Sequence, residues 1–70
     1  MRNYITENDE IINAKTVDDA ILVYKENLRL RGFSFQDINS VAFYTYTETT
    51  TDGTPVDYIF RMLRTGKILK

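Results

Sequence analysis

The stretch from Val41 to Leu63 constrains the fold more than any other feature of the sequence. Residues 41–50, VAFYTYTETT, are rich in β-branched and aromatic side chains and show no helical periodicity, which predicts a strand. Asp52 and Gly53 follow, a dipeptide typical of hairpin turns. A lone strand does not persist, because its backbone groups need partners. The sequence therefore favours an antiparallel hairpin with strands at about 41–50 and 56–64.

A helix is the alternative for residues 55–65. Val56, Ile59, Phe60 and Leu63 have helical spacing, and Pro55 suits the first position of a helix. The hairpin is preferred because residues 43–49 must hydrogen-bond to something, and the Asp-Gly turn delivers the following residues alongside them.

The register of this hairpin depends on the length of its turn. A two-residue turn would set Glu48 opposite Asp57, and like charges that face each other across a strand pair are unfavourable. We therefore predict a three-residue turn at 52–54, which sets Tyr46 opposite Phe60.

One main helix is predicted at about 16–31. Thr16 is the expected N-cap, with its hydroxyl accepting a hydrogen bond from the amide of Asp19, and Gly32 suits the helix end. Apolar residues recur at helical spacing and form one stripe: Val17, Ala20, Ile21, Tyr24 and Leu28.

Shorter patterns predict the remaining elements. Ser34 to Asp37 has a capping pattern that predicts one helical turn before the first hairpin strand. A similar pattern at 6–9 precedes Ile11 and predicts an extra short strand or helical turn at the N-terminus. Residues 67–70 are expected to extend the second hairpin strand or to form a short third strand after a turn at Gly66. The predicted fold class is α+β, a single small domain over residues 1–70 in which the main helix packs on the hairpin.

Alternation along the hairpin predicts two unequal sheet faces. The more aromatic face is the expected platform for the helix and carries Tyr44, Tyr46, Tyr58, Phe60 and Met62. The other face is the predicted binding surface and carries Phe43, Ile59, Arg61 and Leu63. An alternative leaves that second face as ordinary core, covered by N-terminal residues: Tyr4, Ile5, Ile11 and Ile12.

The composition offers little for catalysis. The 70 residues include no Cys and no His, which removes disulfides, the usual structural zinc site, the commonest general base and the thiol nucleophile. Asp18 and Asp19 are explained by helix capping, and the acidic turn Glu7 to Glu10 lacks the alternating ligands of a calcium loop. We therefore predict no enzyme activity, no cofactor and no metal site.

The charge balance bears on partners. A net charge of −1 supplies no broad field for nucleic acid, although four cations and no acid follow Tyr58: Arg61, Arg64, Lys67 and Lys70. No apolar run of about 18 residues predicts a membrane span. We expect a cytoplasmic protein with no membrane partner. A composition rich in Asn, Ile, Lys, Thr and Tyr is common in short genes of low-GC bacteria and their phages.

These observations predict a non-catalytic protein-binding module, of the inhibitor or adaptor type, that acts through a sheet face or an open strand edge. Its partner is another protein or a second copy of itself. A structural homodimer is the alternative function, and a module that binds single-stranded nucleic acid is a less favoured third.

Overall fold

The computed structural model describes residues 1–65. Their elements are β1 (Arg2–Thr6), β2 (Ile11–Ala14), α1 (Val17–Leu30), α2 (Phe35–Asn39), β3 (Val41–Thr49) and β4 (Pro55–Leu63). The four strands form one mixed sheet in the order β2-β1-β4-β3. The predicted α+β class is confirmed, and the sheet is larger than the hairpin that the sequence predicted. The C-terminal strand predicted at 67–70 lies outside the described residues.

The hairpin is confirmed, because β3 and β4 pair antiparallel along their whole length. The predicted register is wrong by two residues. Tyr46 lies opposite Tyr58 instead of Phe60, and Glu48 lies opposite Val56. A shift by an even number of residues keeps each side chain on its face, so the division of the hairpin into two faces is as predicted.

A turn centred on Asp52 instead of Gly53 causes the register difference. The loop runs from Thr50 to Thr54, and the Thr50 amide donates to the Thr54 carbonyl at 2.9 Å. The Asp52 carboxylate accepts from the Thr54 amide at 3.2 Å and from the Thr50 hydroxyl. Gly53 adopts a φ of 87°, which glycine tolerates best. These side-chain bonds stabilise a turn centred on Asp52, a position that the Asp-Gly signal alone does not indicate.

Both predicted helix starts are present. The Thr16 hydroxyl accepts from the Asp19 amide at 3.1 Å at the start of α1, and Gly32 follows the helix with a φ of 95°. Ser34 and Asp37 form a reciprocal capping box at the start of α2. At 6–9, by contrast, the same pattern makes the turn between β1 and β2, so the N-terminal segment forms two strands and no helical turn.

The N-terminal strand β1 inserts beside β4. It pairs with β4 in parallel, with Tyr4 beside Asp57 and Thr6 beside Ile59, and with β2 antiparallel. A contact over such a sequence separation leaves no local signal. As a result, β4 is an inner strand, and β2 and β3 form the two edges of the sheet.

The core lies between α1 and the sheet face that carries Ile59. Its buried residues come from β1, β2, both helices and β4: Tyr4, Ile12, Ala14, Ala20, Tyr24, Leu28, Ile38 and Ile59. Phe43 packs against it, with its ring 5.3 Å from the Tyr24 ring in an edge-to-face arrangement. The predicted platform for the helix is therefore wrong, because α1 covers the face opposite to the tyrosine-rich one.

Two features accompany this reversal. The N-terminal strands add Tyr4, Ile12 and Ala14 to the Ile59 face, and all three are buried in the core. A helix on the other face would bury several tyrosine hydroxyls, and each buried hydroxyl needs a hydrogen-bond partner. On the open face those hydroxyls can reach water.

Candidate functional site

The sheet face opposite α1 is the candidate site, and we call it the tyrosine face. By strand alternation it comprises Asn3, Ile5, Ile11, Asn13, Ala42, Tyr44, Tyr46, Glu48, Val56, Tyr58, Phe60 and Met62. No helix or strand within residues 1–65 covers it. The solvated face of such a sheet usually carries polar residues, so an aromatic one is unusual.

An apolar row crosses the whole sheet on the tyrosine face. Ile11 lies beside Ile5, Ile5 beside Tyr58, and Tyr58 beside Tyr46, so one row joins all four strands. Ile11 is 67% exposed at one end of the face, and Tyr44 is 45% exposed at the other. A continuous exposed patch of this kind is typical of interaction sites.

The rings on β3 and β4 hold one another in place. Tyr46 stacks on Tyr58 with centroids 5.0 Å apart and planes at 17°, and Phe60 meets both rings edge-on at 5.5 and 5.8 Å. The pKa of the Tyr46 hydroxyl is raised, because neighbouring groups remove water from it and because the Glu48 carboxylate is close. Rings that are already fixed lose little conformational entropy when a partner binds.

Charge is nearly absent from the tyrosine face. Glu48 is the one charged residue among its strand positions, and it lies at the hairpin end of β3. Asn3 and Asn13 form a side-chain hydrogen bond of 2.6 Å across β1 and β2, on the same face as the apolar row. The middle of the face is therefore aromatic and neutral.

The four predicted binding residues lie on the face that α1 covers. Ile59 is fully buried in the core, and Phe43 is partly buried against Tyr24 with the Lys25 ammonium 5.6 Å from its ring centre. Leu63 is half-buried at the end of β4. Ile59 cannot touch a partner in this fold, because α1 covers it. The face is core, as in the alternative, but the N-terminal residues extend the sheet instead of covering it, and Ile5 and Ile11 lie on the other face. A binding role for the other residues stays a prediction.

Arg61, the fourth of these residues, belongs to a buried polar cluster. Its Nε donates to the Glu7 carboxylate at 2.6 Å, and the Tyr24 hydroxyl donates to the same carboxylate. The Glu7 side chain is 1% exposed and that of Arg61 is 12% exposed. Arg61 also lies over the Phe33 ring at 5.2 Å. The cluster ties the β1–β2 turn, α1 and β4 together, which indicates a structural role.

The same cluster shifts the pKa values of Tyr24 and Arg61. Burial raises the pKa of the Tyr24 hydroxyl, and its hydrogen bond to Glu7 and the negative charge of that carboxylate raise it further. Burial lowers the pKa of the Arg61 guanidinium, but its interactions with Glu7 and Tyr24 together outweigh burial, and the pKa is raised. Tyr24 therefore stays neutral and Arg61 stays charged.

Other kinds of site find no support in residues 1–65. They enclose no pocket, and they bring no three potential metal ligands together. The acidic turn is split, since Glu7 joins Arg61 while Glu10 forms an ion pair with Arg31. No helix in the part of the chain that the structure describes is long and apolar enough to cross a membrane.

Sequence reasoning missed Ile5 and Ile11 as members of the tyrosine face. Each lies next to an apolar residue that is buried, Tyr4 or Ile12, so alternation could not decide which of the two faces outward. Only the pairing of β1 with β4 aligns Ile5 with Tyr58.

Comparison with known proteins adds no family to this description. No protein-family model, curated protein sequence or solved structure matches the chain. Its function has to be inferred from the site itself.

Proposed function

We propose that this protein is a non-catalytic protein-binding module, of the inhibitor or adaptor type, whose tyrosine face holds another protein. The observation that carries the proposal is the apolar row from Ile11 to Tyr46, which crosses four strands and which no element of residues 1–65 covers. Protein interfaces are enriched in Tyr, Phe and Met and depleted of charge at their centre, as this face is.

The chemistry of the face supports a protein partner over nucleic acid. Stacked rings on a sheet can bind bases, but such sites also need cations that follow the phosphate backbone. Among residues 2–63 the strand cations are Arg2 and Arg61, and both lie on the opposite face in ion pairs. The one charged residue among the strand positions of the tyrosine face is Glu48, and its carboxylate repels phosphates.

Tyrosine suits a recognition surface for a further reason. Each ring buries a large area and keeps a hydroxyl at its tip for one directed hydrogen bond. Tyr44, Tyr46 and Tyr58 thus combine apolar contact with three polar points of specificity. Within this proposal the protein acts in the cytoplasm, where a chain without cysteine loses no stabilising disulfide.

The test is affinity capture with matched variants. Tyr46→Thr with Tyr58→Thr removes the stacked pair and keeps β-forming side chains. Leu22→Gln with Leu30→Gln is the control, because these leucines are 64% and 78% exposed on α1 and lie away from the tyrosine face. A partner that wild-type protein and the leucine variant retain, and that the tyrosine variant loses, is then purified and titrated by calorimetry.

We expect stoichiometric binding that weakens at least thirtyfold in the tyrosine variant, the usual loss when an aromatic anchor is removed. Equal affinity for all three proteins would contradict the proposal. Salt-dependent binding of wild-type protein to short oligonucleotides, lost in the tyrosine variant, would replace it with the nucleic-acid alternative.

A further inference from the structure

The edge of the sheet formed by β3 is a second surface that could pair with another chain, and this inference is independent of the proposed function. The two edges of the sheet differ in length: β2 has 4 residues, while β3 has 9. No element of residues 1–65 pairs with the outer side of β3. A long edge strand exposes a row of backbone donors and acceptors to which another strand can bind.

Proteins that keep such an edge unpaired protect it with lysine, proline, bulges or short length. The β3 sequence, VAFYTYTET, contains no lysine, arginine, proline or glycine, and its one charge is Glu48 near the end. The pairing with β4 is continuous from Val41 to Thr49, with no bulge. The edge thus lacks the features that prevent pairing.

The hairpin loop defines which backbone groups point outward. In an antiparallel ladder, hydrogen-bonded and non-bonded residue pairs alternate. The Thr50 amide bonds to the Thr54 carbonyl, so the even-numbered residues of β3 bond to β4. Among residues 1–65, the amides and carbonyls of β3 that have no strand partner therefore belong to Val41, Phe43, Thr45, Thr47 and Thr49.

We propose that β3 pairs antiparallel with β3 of a second copy of this chain, with Thr45 on the twofold axis. In this register Thr45 meets Thr45 of the second copy, Phe43 meets Thr47, and Val41 meets Thr49. Every hydrogen-bonded pair then joins two residues whose backbone groups are free, which a shift by one residue would prevent. The result is a continuous eight-stranded sheet.

Charge favours this twofold arrangement. Glu48 lies at the hairpin end of β3, whereas Arg64 follows β4 at the opposite end, where Val41 pairs with Leu63. Lys25 also lies at that end, close to the Phe43 ring. Antiparallel pairing of two copies brings the acidic end of each strand to the basic end of the other, while a parallel arrangement would bring like ends together.

The side chains on the tyrosine face are complementary as well. Tyr44 of one copy lies opposite Tyr46 of the other, so the aromatic rows of both copies join across the axis. Aromatic pairs across strands are favourable, and Tyr44, at 45% exposure, is the ring on β3 with most surface left to cover. Dimerisation would cover part of Tyr44 and join the two tyrosine faces into one larger face that stays open to solvent.

Sedimentation equilibrium over a concentration series tests the proposal. Thr45→Pro removes an amide that points outward, so it breaks pairing with the second copy and no bond to β4. Glu48→Arg brings like charges together, and Glu48→Arg with Arg64→Glu restores opposite ones. Glu26→Arg makes the same charge change on the exposed side of α1 and is the control.

We expect wild-type protein and Glu26→Arg to form dimers with equal affinity. Thr45→Pro should be monomeric while its circular dichroism stays that of wild type. Glu48→Arg should weaken dimerisation about tenfold, and the double charge reversal should restore it to within about threefold, since the pair is exposed. The charge variants are at exposed positions, and their circular dichroism should match that of wild type.

Wild-type protein that stays monomeric at millimolar concentration would overturn the proposal. A dimer that Glu48→Arg and the double reversal leave unchanged would overturn it too. Tyr58→Thr alone separates the two proposals, because Tyr58 lies on β4, away from the β3 edge. It should weaken binding of the protein partner and still dimerise through β3.

Discussion

The two faces of the sheet have similar apolar content, but α1 covers one of them and leaves the other open to solvent. The covered face contains Ile59, fully buried, together with the Glu7–Arg61 ion pair. The tyrosine face contains Tyr46, Tyr58 and Phe60, packed on one another and open to solvent. The difference teaches that total apolarity does not decide which face a helix covers. Tyrosine hydroxyls favour an open face, because each one needs a hydrogen-bond partner when it is buried.

The largest expected effect concerns the buried charge on the covered face. Arg61→Met leaves the Glu7 carboxylate buried without its cation, and we expect a loss of about 3–5 kcal/mol in the free energy of unfolding. Arg2→Met is the matched control. Its ion pair with Asp57 spans 3.2 Å, but the Arg2 side chain is 57% exposed. It should lose at most about 1 kcal/mol.

Urea unfolding of both variants measures this contrast. Equal losses would mean that Arg61 is solvated, as a residue on a wet binding face would be.

Two neighbours on β4 give the next contrast. Ile59 faces the core and Tyr58 faces outward, so Ile59→Ala should cost about 3 kcal/mol through the cavity it leaves. Tyr58→Thr should cost about 1 kcal/mol, because it removes only the packing of rings across the strand pair. Thermal and urea unfolding of the two variants check the order. A larger loss for Tyr58→Thr would reverse the assignment of the faces.

A smaller effect appears at high pH. The pKa of Tyr24 is raised in the folded protein above its ordinary value of 10.0, so folding stabilises the protonated hydroxyl. This stability is complete below pH 10 and is lost as the pH rises further. Wild-type protein should lose about 1.4 kcal/mol more than Tyr24→Phe between pH 8 and pH 11. Parallel losses in urea unfolding at the two pH values would show that Tyr24 is accessible to solvent.

The smallest effect tests the register on the tyrosine face. Glu48 lies opposite Val56, so Val56→Lys should add about 0.5 kcal/mol to the stability through a cross-strand ion pair. In a Glu48→Gln background the same substitution should add nothing. A gain that is equal in both backgrounds would mean that Glu48 faces another residue, such as Tyr58.

Local signals were enough to predict the helix and the hairpin. Thr16, Gly32 and the Asp52-Gly53 turn act through bonds to residues a few positions away, which a sequence displays directly. The predicted register was wrong because side-chain bonds of Thr50 and Asp52 hold a turn centred on Asp52, and an Asp-Gly pair does not show where its turn is centred.

The candidate site needed information that is not local. Parallel pairing of β1 with β4 decides which face becomes the core, and it joins residues more than 50 positions apart. In the hairpin alone, the five aromatic or sulfur-containing side chains of the tyrosine face form the larger apolar surface, which is why the sequence predicted the helix there. With β1 and β2 in the sheet, Tyr4, Ile12 and Ala14 complete the opposite face, and the tyrosine face becomes the outer one.

The central claim is that α1 covers the Ile59 face of the sheet and not the tyrosine face. Nuclear Overhauser effects from the Tyr24 ring test it most directly, since Tyr24 lies at the middle of α1. The structure places its ring 5.3 Å from that of Phe43, so cross-peaks between these two rings are expected, with none to Tyr46 or Phe60. Cross-peaks from Tyr24 to Tyr46 and Phe60, with none to Phe43, would show that the helix covers the tyrosine face and would contradict the account.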